Sequence, residues 1–260
     1  MTEPVSLEID TNNRVATLRL DRPKVNAVNA EMLELIVELC GQVAGNDEVR
    51  AVILWGGPRV FAAGADITEF PQLDRDRAVE FSHRFNRAAL AIESLPQVSI
   101  AAINGFALGG GFELALATDF RLISEDGRLG FPEISLGLIP GGGGTQRLSR
   151  LAGITMAKDL IYSGRHMGAS EAIANRVVTS VHPNESVYDE AVALAASYAK
   201  GPASTRLAKK AILDGYHLTL SEAVEIEAQC FGECFTTDDC RIGVESFLEN
   251  GPGKATFTGH

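Results

Sequence analysis

The chain has 260 residues, of which 45% are hydrophobic and 22% are charged, an ordinary composition for a globular protein with a substantial core. With 23 Lys and Arg against 34 Asp and Glu, the formal net charge is −11. These values exclude a disordered acidic tail, a collagen-like repeat and a disulfide-stapled miniprotein. The negative charge also argues against nonspecific nucleic-acid binding, which requires an excess of basic residues.

Residues 5–10 and 14–20 alternate apolar and polar positions, which predicts a β-hairpin at the edge of a sheet. Helical periodicity follows over residues 30–44 and again over residues 74–94. Continuous apolar runs predict two buried strands, at residues 51–55 and 98–103, and a third strand is predicted at residues 120–123. Strands that alternate with helices indicate an α/β fold with parallel crossovers or ββα repeats in one sheet.

The pattern changes after about residue 153, where helical periodicity dominates and one short strand is predicted at residues 177–181. The predicted helices lie at residues 153–163, 168–174, 184–199, 202–214 and 219–249. No low-complexity linker separates the two parts of the chain. The sequence therefore predicts one domain, with an α/β core over residues 1–195 and a helical carboxy-terminal region over residues 196–260.

The amino-terminal residues lack the basic and apolar regions of a secretory signal. No apolar stretch reaches the roughly 20 residues that span a bilayer. The four cysteines lack the spacing of a zinc site, and we expect them to be buried thiols. We therefore expect a cytoplasmic protein with no metal site and no membrane partner.

Two short segments follow apolar strands, at the strand ends where α/β folds place their ligands. They are residues 61–67 (FAAGADI) and 104–114 (NGFALGGGFEL). In the second segment, three glycines lead directly into a helical pattern, and eleven of the 26 glycines lie between Gly105 and Gly144. A helix N-terminus offers free N–H groups, and glycines let a substrate oxygen approach them closely. This arrangement is typical of an oxyanion hole.

Two glutamates accompany these glycines. Glu113 lies in the first turn of the predicted helix, where it either stabilises the helix dipole or takes part in catalysis. Glu133 is a lone carboxyl group in an apolar stretch, so desolvation should raise its pKa and suit it to general acid catalysis. The alternative is that Glu133 accepts backbone N–H bonds from the glycine-rich turn at residues 141–144. The sequence alone leaves open whether the two glutamates face one another.

Three segments, in this order and spacing, resemble the enoyl-CoA hydratase/isomerase (crotonase) family: FAAGADI, NGFALGGGFELALATD and GFPEISLGLIPGGGGTQRL. The resemblance begins at residues 20–24 and continues to residues 243–248. It implies a crotonase-like α/β core of repeated ββα units with a helical carboxy-terminal extension. It also implies an acyl-CoA thioester as substrate, no cofactor beyond the coenzyme A that the substrate carries, and a homotrimer or a dimer of trimers.

Matched position by position, the resemblance implies an oxyanion hole formed by the N–H groups of Ala65 and Gly110. Glu113 and Glu133 match the two acids of hydratases, whereas family members with other activities often replace one of them. Gly141 matches a glycine whose backbone helps to hold the reacting water. The substrate-binding positions implied in this way are Lys24, Ala63, Asp66, Ile67 and Gly141.

The resemblance thus implies an enoyl-CoA hydratase, a hydro-lyase that adds water across the 2,3 double bond of a 2-enoyl-CoA. By the family's pattern, Glu133 delivers a proton to C2 and Glu113 activates the water. Δ3,Δ2-enoyl-CoA isomerisation, or another acyl-CoA reaction of the family, is the alternative. Some relatives bind RNA or serve structural roles, which the acidic charge and the lack of a basic, aromatic-interleaved patch disfavour here.

Overall fold

Two β-sheets and ten α-helices make up the part of the chain that this computed structural model describes, residues 3–260. The strands are β1 (Val5–Asp10), β2 (Val15–Leu20), β3 (Ala51–Trp55), β4 (Ala62–Ala63), β5 (Val98–Ile103), β6 (Phe106–Leu108), β7 (Phe120–Ser124), β8 (Arg128–Gly130), β9 (His166–Gly168) and β10 (Ser180–His182). The helices are α1 (Ala30–Ala44), α2 (Arg75–Glu93), α3 (Gly110–Leu116), α4 (Gly144–Ala152), α5 (Ile154–Ser163), α6 (Ala169–Ala174), α7 (Val187–Ala199), α8 (Ser204–Gly215), α9 (Leu220–Cys234) and α10 (Asp238–Asn250). Two short 3₁₀-helices occupy Ile67–Gln72 and Pro132–Leu136.

The larger sheet has six strands in the order β1-β2-β3-β5-β7-β10. Strands β1 and β2 form the predicted antiparallel hairpin, and the remaining pairs in this sheet are parallel. The smaller sheet has four strands in the order β4-β6-β8-β9, with only β9 antiparallel to its neighbour.

A strand–strand–helix unit occurs three times in succession, as β3-β4-α2, β5-β6-α3 and β7-β8-α4. In each unit the first strand joins the larger sheet and the second strand joins the smaller one. The first strands are adjacent and parallel, so the segments that leave them all emerge at one edge of the larger sheet. The α/β class and the repeated ββα units predicted above are therefore confirmed.

Alternate residues of the central strands pack into two separate cores, because side chains point to opposite faces along a strand. In β5, Ile100 and Ala102 pack in one core with Ala191 and Ala195 of α7. Ile103, on the opposite face of β5, belongs to the larger core. Burial on both faces explains why this strand is a continuous apolar run in the sequence.

Several predicted elements differ from the structure. The smaller sheet is absent from the prediction, because its strands have only two or three residues and show no periodicity. The single helix predicted at residues 219–249 is wrong: it is two helices, α9 and α10. The Thr237 hydroxyl accepts the N–H of Cys240 and so starts α10 with a new cap. The short strand expected at residues 177–181 lies at Ser180–His182.

The proposed boundary at residue 195 falls inside α7, which packs against β3 and β5 of the larger sheet. Beyond it, α8 and α9 pack mainly against each other. The division into residues 1–195 and 196–260 stays a prediction.

Within residues 3–260, no helix has both the length and the apolar character needed to cross a membrane. The same residues contain no cluster of three or more His, Cys, Asp or Glu side chains placed to hold a metal ion. All four cysteines are free thiols, but only Cys40 and Cys230 are buried. The expectation of burial is wrong for Cys234 and Cys240, which are partly exposed.

The close packing of α3 against β4 predicts opposite effects for two glycine substitutions in helices. A Cβ at Gly111, in α3, would lie 2.2 Å from the carbonyl oxygen of Ala62, whereas a Cβ at Gly41, in α1, would meet no heavy atom within 4 Å. We expect Gly111→Ala to lower the free energy of unfolding by about 3 kcal/mol, because neither backbone can move freely. We expect Gly41→Ala to raise it by about 0.5–1 kcal/mol through helix propensity. Urea denaturation measures both, and an unchanged Gly111→Ala variant would contradict this packing.

Candidate active site

The N-terminus of α3 presents a free N–H group at the end of β6. Gly109, between the two elements, has φ +49°, a conformation that favours glycine. Its own N–H donates to the carbonyl oxygen of Gly130, 2.9 Å away, and this bond fixes the turn. Gly110 is the first residue of α3, and within residues 3–260 its N–H has no acceptor.

A second free N–H group belongs to Ala65, in the segment that follows β4. The residues on either side of Ala65 bond to Val28: the Val28 N–H donates to the Gly64 oxygen, and the Asp66 N–H donates to the Val28 oxygen, both at 2.8 Å. Since N–H groups alternate in direction along an extended chain, the Ala65 N–H points away from Val28. No acceptor for it occurs in the described part of the chain, residues 3–260.

A cavity of about 740 Å³ is lined by the two residues that carry these N–H groups and by both glutamates. Its lining includes Ala65, Gly110, Glu113 and Glu133, which are separated by up to 68 positions in the sequence. Gly141, from the glycine-rich loop at residues 141–144, also lines the cavity. The structure therefore answers the question that the sequence left open, because the two glutamates share one cavity.

Glu113 is 2% exposed and is bonded to the glycine-rich loop. Its Oε1 accepts the backbone N–H of Gly142 at 2.7 Å and of Gly144 at 2.8 Å. Burial raises the pKa of Glu113, and these two hydrogen bonds, followed by the positive charge of Arg147, act in the opposite direction. Hydrogen bonds from the glycine-rich turn are one alternative that the sequence allows for Glu133. In the structure, Glu113 accepts them.

Glu133 has a different environment, in the 3₁₀-helix Pro132–Leu136. Its Oε2 is buried and has no hydrogen-bond partner within residues 3–260. Burial, together with a smaller effect of the Glu113 charge, raises the pKa of Glu133 to about 7. The raised pKa expected from the sequence is therefore found. Its other carboxyl oxygen lies close to Gly109, where an added Cβ would be 2.8 Å from Oε1.

The structure separates the predicted substrate-binding residues into two groups. Gly141 lines the cavity, but Lys24, Ala63, Asp66 and Ile67 do not. Asp66 caps the 3₁₀-helix that follows it and forms an ion pair with Arg22 at 2.6 Å. Lys24 and Ile67 are exposed. A contact between these four residues and a substrate stays a prediction.

Most of the cavity wall was not identified from the sequence. Its apolar part includes Phe70, Leu73, Val79, Phe81, Leu138 and Ile139. Polar side chains of α2, Ser82 and Asn86, also line it. The spacing of Val79, Ser82 and Asn86 marks one face of a helix, but only the tertiary fold shows that this face is turned towards the glutamates.

The comparisons with known proteins agree with this geometry. The sequence model described as Enoyl-CoA hydratase/isomerase matches residues 10–259. Short-chain-enoyl-CoA hydratase of Clostridium acetobutylicum is 38% identical over 244 residues, covering 93% of this chain and 94% of that protein. Crotonyl-CoA hydratase of Syntrophomonas wolfei is 38% identical over 252 residues, covering 96% of both. The crystal structure of enoyl-CoA hydratase from Bacillus anthracis aligns with a TM-score of 0.92 at 35% identity, covering 99% of this chain and all of that one.

The fold and these matches define a crotonase-type α/β protein. The chain belongs to the enoyl-CoA hydratase/isomerase family. The family predicted from the sequence motifs is thus confirmed, together with its enzyme class, that of a hydro-lyase.

The raised pKa of Glu133 predicts a pH-dependent cost to stability. Its carboxyl group has a pKa of about 7 in the folded chain against the ordinary value of 4.5. Below the ordinary value the group is protonated in both states, and as pH rises through about 7 the folded state loses stability relative to the unfolded one. The loss should approach about 3 kcal/mol near pH 8. We expect Glu133→Gln to be more stable than wild type near pH 8 but not near pH 4, by urea denaturation.

The matched control is Glu34→Gln, at an exposed position of α1. Its stability difference from wild type should not vary with pH in this way. A pH-independent difference between wild type and Glu133→Gln would contradict the raised pKa.

Proposed function

We propose that the protein is an enoyl-CoA hydratase that converts a 2-enoyl-CoA thioester to a 3-hydroxyacyl-CoA. The observation that carries the proposal is one cavity lined by two glutamates with different hydrogen bonding and by Ala65 and Gly110, whose N–H groups have no acceptor within residues 3–260. Family membership supports an acyl-CoA as the substrate. The coenzyme A then arrives with the substrate, and the reaction requires no further cofactor.

The N–H groups of Ala65 and Gly110 would bind the thioester carbonyl oxygen. Two donors aimed at this oxygen stabilise the negative charge that develops on it during the reaction. The polarised carbonyl withdraws electrons from the conjugated double bond and makes C3 electrophilic. Neither N–H has a competing acceptor within residues 3–260, so both are available to a ligand.

The two glutamates would divide the proton transfers. Burial raises the pKa of Glu113, and the hydrogen bonds from Gly142 and Gly144 oppose that effect by stabilising the carboxylate. A carboxylate held in this way could take a proton from water. Glu133, with a pKa of about 7, keeps a substantial protonated fraction near neutral pH and can donate to C2. The different environments of the two carboxyl groups therefore support different roles.

One reaction cycle adds one water molecule to the double bond. The water oxygen bonds to C3 while one water proton moves to Glu113, and the Glu133 proton moves to C2. The double bond becomes a single bond, and the product carries one added water. A proton then passes from Glu113 to Glu133, directly or through solvent, and restores the starting state. Gly141, beside the cavity, would help to hold the water before it reacts.

The activity of glutamate variants tests this assignment. We expect wild-type protein to hydrate crotonyl-CoA, seen as loss of the conjugated-enoyl absorbance. Glu113→Ala and Glu133→Ala should each lower kcat by at least about 100-fold, because each removes a general acid or base. The exposed Glu34→Gln variant is the control and should keep wild-type activity.

Full activity in either alanine variant would contradict the roles given to that glutamate. If wild type were inactive on 2-enoyl-CoAs of every chain length but moved the double bond of a 3-enoyl-CoA, the isomerase alternative would replace hydration.

We also propose that the protein forms a trimer or a dimer of trimers. Apolar side chains are widely exposed on or next to the carboxy-terminal helices, at Ile212, Tyr216, Leu220, Phe231, Phe235, Phe247 and Leu248. Leu220 and Leu248 are 79% and 77% exposed in the single chain. Such a surface is typical of an interface between subunits. A cytoplasmic location stays a prediction, which the four free thiols support.

Substitution of the exposed apolar surface tests the assembly. Light scattering should give three or six times the mass of one chain for wild type. Leu220→Asp combined with Phe231→Asp should lower this mass, because a buried unpaired carboxylate would be costly in the interface. Val37→Asp, at an exposed apolar position of α1, is the control and should leave the mass unchanged. A monomeric wild type would contradict the proposal.

A further inference from the structure

We propose that Ser82, Asn86 and Arg147 are positioning residues that hold the glycine-rich loop so that its N–H groups point at Glu113. The inference rests on the role of Glu113 in the proposed hydration. The three side chains bond to carbonyl oxygens of the loop, and none of them bonds to Glu113 itself.

The first contact is on the peptide group between Gly141 and Gly142. The Gly141 carbonyl oxygen accepts the Ser82 hydroxyl at 2.6 Å and the Asn86 side-chain amide at 2.9 Å. The N–H at the other end of the same peptide group, that of Gly142, donates to Glu113 Oε1 at 2.7 Å. Because a peptide group is planar, fixing its oxygen also fixes the direction of its N–H.

Ser82 and Asn86 lie one turn apart on α2, and they support one another. The Asn86 amide also donates to the Ser82 backbone oxygen at 2.9 Å, which holds the amide against the helix. Both side chains are partly buried. The rigid helix α2 therefore provides two donors in fixed positions for one carbonyl oxygen of the loop.

The second contact is on the next peptide group along the loop. Arg147, in α4, donates from Nη1 to the Gly142 carbonyl oxygen at 3.2 Å. Its Nη2 forms an ion pair with Glu93, at the end of α2, at 2.8 Å. The Arg147 side chain is 13% exposed and the Glu93 side chain 34%, so this ion pair is partly shielded from solvent. Arg147 thus links the loop to α2 a second time.

The loop depends on these external contacts because it has no side chains of its own to anchor it. Glycine backbone is the most costly to order on folding. Without the contacts, the Gly141–Gly142 peptide group could rotate and withdraw its N–H from Glu113. The Glu113 carboxylate would then lose a hydrogen bond while remaining buried, which disfavours its ionised form. Donors on the carbonyl oxygen also polarise the peptide group and strengthen its N–H as a donor.

The test compares Asn86→Leu, which removes the amide donor at similar size, with His83→Leu at a neighbouring exposed position of α2. We expect Asn86→Leu to lower kcat by roughly tenfold with little change in KM, since the Asn86 amide is already bonded to the Ser82 and Gly141 oxygens. The Glu113 pKa should rise, so the fall of kcat towards low pH should begin at higher pH than in wild type. His83→Leu should match wild type in both measurements.

The serine provides a second variant pair that does not depend on the folding of Asn86→Leu. Ser82→Ala removes the hydroxyl, so its kcat should also begin to fall at a higher pH than that of wild type. Ser82→Thr keeps a hydroxyl and should have the wild-type pH profile of kcat. Losses in the Ser82→Ala/Asn86→Leu double variant should be less than the product of the single losses, because both act on one peptide group.

A direct titration separates this inference from the proposed function. NMR of the glutamate carboxyl carbons, with the Glu113 signal assigned by its loss in Glu113→Gln, reports the Glu113 pKa without any substrate. A raised Glu113 pKa in Asn86→Leu and Ser82→Ala supports the positioning role even if wild type fails to hydrate a 2-enoyl-CoA. An unchanged Glu113 titration, or an effect on KM alone, would overturn the positioning role and leave hydration intact.

Discussion

A buried carboxylate bonded to two backbone N–H groups is the interaction on which the rest of this site depends. Glu113 comes from α3, and its partners Gly142 and Gly144 come from a loop 29 and 31 residues further along the chain. Burying an unpaired carboxylate costs several kcal/mol, so the loop and α3 must be brought together accurately. The repeated units achieve this, because α3 and α4 close two successive repeats and lie side by side.

The contrast between the two glutamates follows from the same loop. The N–H groups of the loop donate to Glu113. Glu133 has a buried carboxyl oxygen with no hydrogen-bond partner within residues 3–260. Two similar side chains in one cavity thus have different hydrogen-bonding environments, although burial raises the pKa of both. The charge of Glu113 also raises the pKa of Glu133.

The sequence could predict the elements whose patterns are local. The apolar run at residues 98–103 and the amphipathic helix at residues 30–44 match β5 and α1. The motifs also point to Glu113 and Glu133, which line one cavity in the structure. The smaller sheet was missed because two or three residues carry no periodic signal. The sequence does not identify the partner of the loop glycines, because hydrogen bonds that span 29 and 31 residues depend on tertiary packing, which spacing does not encode.

The glycines concentrated between Gly105 and Gly144 meet different structural requirements at different positions. A Cβ at Gly142 would lie 2.4 Å from Phe85 and 2.6 Å from Glu113 Oε2, so the protein itself requires glycine there. At Gly141, one position earlier, the nearest atom to an added Cβ is 3.9 Å away, and it belongs to Ser82. The packing of the chain therefore does not require a glycine at this position. Gly141 lines the cavity, and under the proposed hydration a side chain there would take up space that a reactant needs.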